Sequence, residues 1–122
     1  MDIMFKSTRG DKNYVTASQA IVQGIANDGG LFVPETIPTI DFPLEKITEM
    51  SYQELAYEVL KLILTDYTEE ELKYCINSAY DEKFDTKLIA PLVSAGNGNF
   101  LELFHGKTIA FKDMALSILP YL

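Results

Sequence analysis

Three capping boxes mark where helices begin, and they restrict the folds open to this chain more than any other feature of its sequence. In a capping box, a serine or threonine and an acidic or amide residue three positions later satisfy free backbone amides at a helix start. The pairs that fit are Thr16 with Gln19, Ser51 with Glu54, and Thr68 with Glu71. Apolar residues with a period near 3.6 follow each pair. The predicted helices are Thr16–Ala26, Ser51–Leu64 and Thr68–Tyr80.

The remaining segments are a short helix predicted at Pro43–Met50, a helix that contains Lys112, and short extended stretches, which together give a mixed fold. Apolar residues cover more than half of the Ser51–Leu64 helix, so we expect it to be the most buried helix. Gly24 lies on the apolar stripe of the first helix, which predicts close approach of another backbone there. The predicted extended segments are Leu31–Val33, Leu88–Val93 and Phe100–Phe104. The predicted fold class is α+β, a mainly helical unit with a few short strands.

Composition and charge exclude several classes of function. The formal net charge is −8, and the chain has one arginine, Arg9. This argues against nucleic acid, whose binding depends on neutralising phosphates. With one histidine, His105, and one cysteine, Cys75, a zinc site is not expected. The single cysteine excludes an internal disulfide and fits a reducing compartment.

The sequence also gives no sign of a membrane protein. No stretch approaches the roughly 18 apolar residues that a membrane span needs. The first ten residues lack the apolar core of a signal peptide. We therefore expect a cytoplasmic protein.

Lys112 has mostly apolar neighbours in the stretch between Phe100 and Leu119, among them Phe111 and Met114. Burial disfavours a charged ammonium group and favours the neutral amine, which can attack a carbonyl carbon. The plainer interpretation is that the lysine stem lies on apolar surface while its ammonium reaches water. Composition alone favours this plainer interpretation.

Four sequence motifs change that balance. They are Ser7-Thr8-Arg9-Gly10, Ser18-Gln19-Ala20-Ile21 with Gly24, Asp28 to Pro34, and Glu102 to Asp113. In order and approximate spacing they resemble the N-terminal region of threonine synthases, up to and just past the lysine that carries pyridoxal phosphate. The chain departs from the family at Lys107, where a proline is usual. It also stops about ten residues after Lys112.

The resemblance implies a fold and a division into domains. Threonine synthases are pyridoxal phosphate-dependent two-domain α/β enzymes of the tryptophan synthase β-like fold type II. By this resemblance the chain is a fragment of such an enzyme. Residues 1–99 would form the N-terminal domain, and residues 100–122 would start the catalytic domain that binds the cofactor.

The resemblance also implies a lyase that converts O-phosphohomoserine and water to L-threonine and phosphate. Lys112 would bind pyridoxal phosphate and act as the catalytic base. The substrate-side candidates are Arg9, His105, Thr108 and Asp113, and for His105 we favour a structural role. No phosphate cradle is recognisable in the sequence. We therefore expect the 122 residues alone to be inactive and to depend on the remainder of the enzyme chain.

Two other functions stay open. A related pyridoxal phosphate-dependent phospho-lyase would have the same sequence around Lys112. A non-catalytic helical interaction module would use the apolar residues from Leu116 to Leu122 as its surface. That apolar end also predicts self-association of the fragment.

Overall fold

The computed structural model describes residues 2–122 and shows helices joined by short strands. The helices are α1 (Ala17–Gln23), α2 (Leu44–Ile47), α3 (Tyr52–Leu60), α4 (Glu69–Ala79) and α5 (Asp113–Leu116). The strands are β1 (Phe5–Ser7), β2 (Phe32–Pro34), β3 (Leu92–Ala95) and β4 (Gly98–Leu101). The predicted α+β class is confirmed. Within residues 2–122, no helix is both long and apolar enough to cross a bilayer.

All three capping boxes form, so the predicted helix starts are confirmed. Two helices end earlier than predicted. α1 ends at Gln23 because Gly24 adopts φ +76°, a left-handed conformation that glycine tolerates best. No atom lies within 4 Å of a Cβ built on Gly24, so the predicted close approach of a second backbone is wrong. After Leu60, α3 gives way to tighter turns in which amides bond to carbonyls three residues back.

The most buried helix is α4, and the prediction that it would be the Ser51–Leu64 helix is wrong. α4 contributes four buried residues, namely Leu72, Cys75, Ile76 and Ala79, whereas α3 contributes none. α3 packs on α4 with one side, and its Leu55 and Val59 face a surface cavity. A wide apolar face therefore does not by itself place a helix at the centre.

The strands form two separate antiparallel pairs. β1 pairs with β2, and Lys6 lies opposite Val33. β3 and β4 form a hairpin in which Ala95 lies opposite Gly98, which leaves a two-residue turn. Gly96 begins that turn with φ +59°, as such tight turns require. The extended segment predicted at Leu88–Val93 starts later than expected, because residues 88–90 form a turn instead.

Side chains from α4 and from Tyr80, the residue after it, donate hydrogen bonds to backbone carbonyls of the C-terminal segment. The Tyr80 hydroxyl donates to the Met114 carbonyl at 2.6 Å, and the Cys75 thiol donates to the Tyr121 carbonyl at 2.9 Å. Ile118 is buried in the same core as Cys75 and Tyr80. Only part of the apolar end, including Leu116, is therefore exposed. The self-association expected from that end stays a prediction.

Candidate functional site

Lys112 immediately precedes α5 and borders an apolar cavity of about 560 Å³. The other residues that line the cavity are Tyr52, Leu55, Ala90, Leu101, Leu103, Phe111, Met114 and Ala115. Among these described residues, Lys112 alone carries a charge. Tyr52 and Leu55 come from α3, about sixty residues earlier in the chain. The cavity therefore forms only when α3 and the lysine segment come together.

The apolar surroundings expected for Lys112 are present, but its expected burial is not. Lys112 is exposed, and its neighbour Phe111 is 66% exposed. The reason is the shortness of α5, which is one turn long and lies at the surface rather than inside a longer helix. Across residues 2–122, no carboxylate forms an ion pair with the Lys112 amine. The amine is thus accessible from the cavity side.

Two hydrogen bonds join Thr108 to Asp113, the residue that follows Lys112. The Thr108 amide donates to Asp113 Oδ2 at 2.7 Å, and the Thr108 hydroxyl donates to Asp113 Oδ1 at 2.6 Å. Asp113 is 6% exposed, which is low for a carboxylate. The structure therefore brings together two of the residues predicted on the substrate side. Their polar groups bond to each other and close the loop from Thr108 to Asp113.

His105 lies between two carboxylates. Its Nδ1 is 2.5 Å from Asp85 Oδ1, and its Nε2 is 2.7 Å from Glu102 Oε2. These hydrogen bonds, with Glu102 the stronger influence, raise the pKa of His105 above its ordinary value of 6.5. The Asp85 amide also donates to the His105 carbonyl at 3.1 Å. With both ring nitrogens bonded to carboxylates, the geometry favours the structural role. Neither partner was identified from the sequence. Asp85 is twenty residues away and lies in no motif, and Glu102 lies in the same motif as His105 but was given no role.

Arg9 belongs to a separate polar cluster at the end of β1. Asp28 is the centre of this cluster, since its carboxylate accepts from the Ser7 hydroxyl at 2.6 Å and from the amides of Gly30 and Asp11 at 2.9 Å each. The hydrogen bond from Ser7, followed by that from Gly30, lowers the pKa of Asp28. Arg9 Nη1 donates to the Asp28 carbonyl at 3.3 Å. Two of the sequence motifs therefore meet here as one structural unit.

The sequence interpretation missed the central position of Asp28. The motif that contains it, Asp28 to Pro34, was used only for the resemblance and for the extended segment Leu31–Val33. A glycine pair after an aspartate was the available signal, because such a pair often lets a carboxylate bond to nearby amides. Ser7, which is buried, completes the cluster from a strand about twenty residues earlier.

Known proteins match most of this chain. A family model described as threonine synthase N terminus matches residues 4–80. Threonine synthase of Schizosaccharomyces pombe is 40% identical over 121 residues, which cover 96% of this chain and 23% of that protein. Threonine synthase of Saccharomyces cerevisiae is 37% identical, with coverage of 93% and 24%. The chain thus spans about a quarter of the length of these relatives.

Solved structures give the same result for the fold. The crystal structure of threonine synthase from yeast matches with a TM-score of 0.89 and 35% identity, covering 98% of this chain and 25% of that one. A pyridoxal phosphate-bound threonine synthase from Brucella melitensis matches with a TM-score of 0.86 and 34% identity, covering 98% and 26%. Because the family model covers more than half of the residues and the match extends over nearly the whole chain, this chain belongs to the threonine synthase family.

Proposed function

We propose that this chain is the N-terminal part of a threonine synthase that converts O-phosphohomoserine and water to L-threonine and phosphate. In this proposal Lys112 binds pyridoxal phosphate. The observation that carries the proposal is the position of Lys112, an accessible amine at the rim of an apolar cavity within the Glu102–Asp113 motif. Family membership and the cofactor in the Brucella relative support it.

The residues that line the cavity fit the aldehyde and the ring of pyridoxal phosphate but provide no partner for its phosphate group. The Lys112 amine suits the aldehyde carbon, and the apolar wall formed by residues such as Leu55, Leu103 and Met114 suits the face of an aromatic ring. The described cavity lining offers no second cation for the phosphate. The phosphate donors would therefore come from the remainder of the enzyme chain, and we propose that this chain alone is inactive.

Each residue has a limited task in this proposal. When bound, pyridoxal phosphate supplies an electron sink for negative charge on carbon. Lys112 would hold the cofactor through Nζ and, once released, would take and return protons at that atom. Arg9 is exposed, and its guanidinium has donors suited to a substrate carboxylate or phosphate. Thr108, Asp113 and His105 shape the loop rather than bind substrate.

The proposed domain boundary lies after residue 99, with the catalytic domain starting at residue 100. In this chain β3 and β4 pair across that position, and Ile118 packs into the core formed by α4. We propose that residues 100–122 fold onto the N-terminal domain and carry Lys112 into contact with the rest of the catalytic domain. We also propose a cytoplasmic location, which buried Cys75 fits because it is a free thiol.

The proposal is tested on the whole enzyme that contains these residues. Incubation with pyridoxal phosphate and O-phosphohomoserine should release threonine and phosphate in equal amounts. Lys112→Ala should lower this activity by roughly 10³-fold or more, because both the anchor and the base are lost. Lys107→Ala is the matched control and should retain activity. Phosphate release without threonine would favour the related phospho-lyase instead.

Borohydride trapping and peptide mapping test the assignment of the lysine directly. We expect the reduced pyridoxyl adduct on Lys112 and not on Lys107, which lies in the turn beside Gly106. An adduct on Lys107, or cofactor retained after Lys112→Ala, would overturn the assignment. In the isolated 122-residue chain we expect weak cofactor binding that is lost on dialysis.

A non-catalytic interaction module is the second candidate. The observation in its favour is the β3–β4 hairpin, whose apolar residues, including Leu92, Phe100 and Leu101, are exposed. Such a surface suits contact with another polypeptide. Absence of any cofactor adduct on Lys112 in the whole protein would favour this candidate.

A further inference from the structure

The residue after Lys112 points into the protein rather than toward the cavity. Asp113 is buried, and both of its carboxylate oxygens accept hydrogen bonds from Thr108, five residues earlier. Adjacent residues at a helix start project in directions about 100° apart, since 3.6 residues make one turn. Fixing the direction of Asp113 therefore also fixes the direction from which the Lys112 side chain leaves the backbone.

The loop that this carboxylate closes contains a strained residue. Ile109 has φ +65°, a left-handed conformation that is unfavourable for a β-branched side chain. Ile109 is also 72% exposed, so burial of its side chain does not offset the strain. Strain of this kind persists only where surrounding contacts hold the backbone, and it is concentrated at functional sites. The Thr108–Asp113 hydrogen bonds span Ile109 and supply such contacts.

Gly106 holds the loop from its other end. A Cβ built on Gly106 would lie 2.5 Å from both the Cβ and Oδ2 of Asp113, so the carboxylate rests directly against the glycine. The Ile109 amide also donates to the Gly106 carbonyl at 3.1 Å. The loop from residue 106 to residue 113 is therefore closed by backbone contact as well as by the Thr108 side chain.

α5 needs these contacts because it is too short to be stable alone. Forming a first helical turn is unfavourable, and a helix gains stability only as it lengthens or packs. α5 has four residues, and it is held on one side by Asp113 and on the other by the Tyr80 hydroxyl at the Met114 carbonyl. Lys112 immediately precedes these two attachments, and its carbonyl accepts from the Leu116 amide at 2.8 Å.

We propose that Thr108 and Asp113 are a positioning pair for Lys112. Their hydrogen bonds hold the loop so that the amine stays at the rim of the apolar cavity. Neither residue contacts the substrate. This inference rests on the proposed function, because the position of Lys112 matters only if its amine is the reactive group.

The test measures where an added aldehyde reacts on the whole folded enzyme that contains these residues. Pyridoxal phosphate is added, the product is reduced with borohydride, and peptide mapping gives the ratio of adduct on Lys112 to adduct on Lys12, an exposed lysine far away in sequence. Thr108→Val removes the hydroxyl and should lower the ratio roughly ten-fold, since a hydrogen bond to a charged group is lost. Thr108→Ser keeps the hydroxyl and should leave the ratio within about two-fold of the original. A cooperative urea-unfolding transition shows that each variant is folded.

Hydrogen exchange gives a second measurement that needs no cofactor. Asp113→Asn should speed exchange of the Thr108 amide by roughly ten-fold, because a charged acceptor is replaced by a neutral one. An unchanged adduct ratio in folded Thr108→Val, or unchanged exchange in Asp113→Asn, would overturn the positioning pair. Equal adducts on Lys112 and Lys12 in the unaltered whole enzyme would instead contradict the proposed function of Lys112.

Discussion

Residues 2–80, the helical region, and residues 81–122, the lysine region, are built in opposite ways. The helical region has three complete capping boxes, the Asp28 cluster and the buried face of α4. The lysine region has a hairpin whose β3 residues are all exposed and a helix of one turn. Within residues 2–122, both non-glycine residues with positive φ, Ile89 and Ile109, lie in the lysine region.

This difference separates the part of the chain that is stabilised by local hydrogen bonds and core packing from the part that has strained backbone near Lys112. In the helical region, the capping boxes and the Asp28 cluster are completed by nearby partners and one face of α4 is buried, while other apolar residues, such as Ile37, are exposed. In the lysine region, strained backbone and exposed apolar side chains surround Lys112, and both features are typical of functional sites and contact surfaces. The lysine region stays folded because Tyr80, Cys75 and Ile118 join it to α4.

The largest expected effect comes from truncating a leucine in each region. Leu72 is 1% exposed and Leu101 is 59% exposed. Leu72→Ala should lower the free energy of unfolding by about 3 kcal/mol, because it leaves a cavity in the core. Leu101→Ala should change it by less than about 0.5 kcal/mol. Urea denaturation measures both, and equal losses would remove the contrast between the regions.

Adding a methyl group to a glycine in each region should have the next largest effect. A Cβ on Gly30 would overlap the Ser7 hydroxyl and crowd Asp28, whereas a Cβ on Gly98 would press only on the ring of Phe100 and would lie at an ordinary contact distance from the Ala95 carbonyl. Gly30→Ala should therefore destabilise the chain by about 2 kcal/mol, as overpacking does. Gly98→Ala should cost less than about 1 kcal/mol, because the exposed ring can move. If Gly30→Ala unfolds at the same urea concentration as the original chain, the tight Asp28 cluster is refuted.

Relief of strain at Ile109 should stabilise the chain by a smaller amount. Glycine accepts the φ of +65° without steric conflict, so Ile109→Gly should raise the free energy of unfolding by roughly 1 kcal/mol. Ile37 is also exposed, at 83%, but has no such conformation, and Ile37→Gly should be destabilising by roughly 0.5 kcal/mol. Thermal unfolding distinguishes the two variants. Destabilisation by both would mean that Ile109 is not strained.

The smallest effects are in the pH dependence, which should have opposite signs in the two regions. The raised pKa of His105 means that its contribution to stability is fully present below pH 6.5 and is lost as the pH rises through the folded pKa. The lowered pKa of Asp28 means that its contribution is present above pH 3.8 and is lost as the pH falls through the folded pKa.

Amide exchange measured against pH checks both signs. The Asp85 amide donates to the His105 carbonyl, and it should lose protection from exchange as the pH rises, beyond the ordinary increase of amide exchange with pH. The Gly30 amide, which bonds to Asp28, should lose protection in acid. His105→Gln and Asp28→Asn are the controls that should remove each pH dependence. A pH dependence that survives in either control would assign it to another group.

Sequence alone identified the helix starts, the mixed fold class and Lys112 as the residue of interest. Capping boxes are readable because each is completed within four residues, so the chain needs no distant partner to form one. The hairpin turn at Gly96 is similarly local. The resemblance to threonine synthases also rested on short motifs that survive in order along the chain.

Only the tertiary structure decided which helix is central and what the polar residues near Lys112 do. Burial depends on what packs against a helix, so α4 became the core although α3 has the wider apolar face. Asp113 accepts a hydrogen bond from Thr108, and His105 is hydrogen-bonded to Asp85, which lies twenty residues earlier in the chain. The cavity beside Lys112 likewise needs α3, which is far away in sequence. These contacts join distant residues, and no local pattern records where a folded chain brings them together.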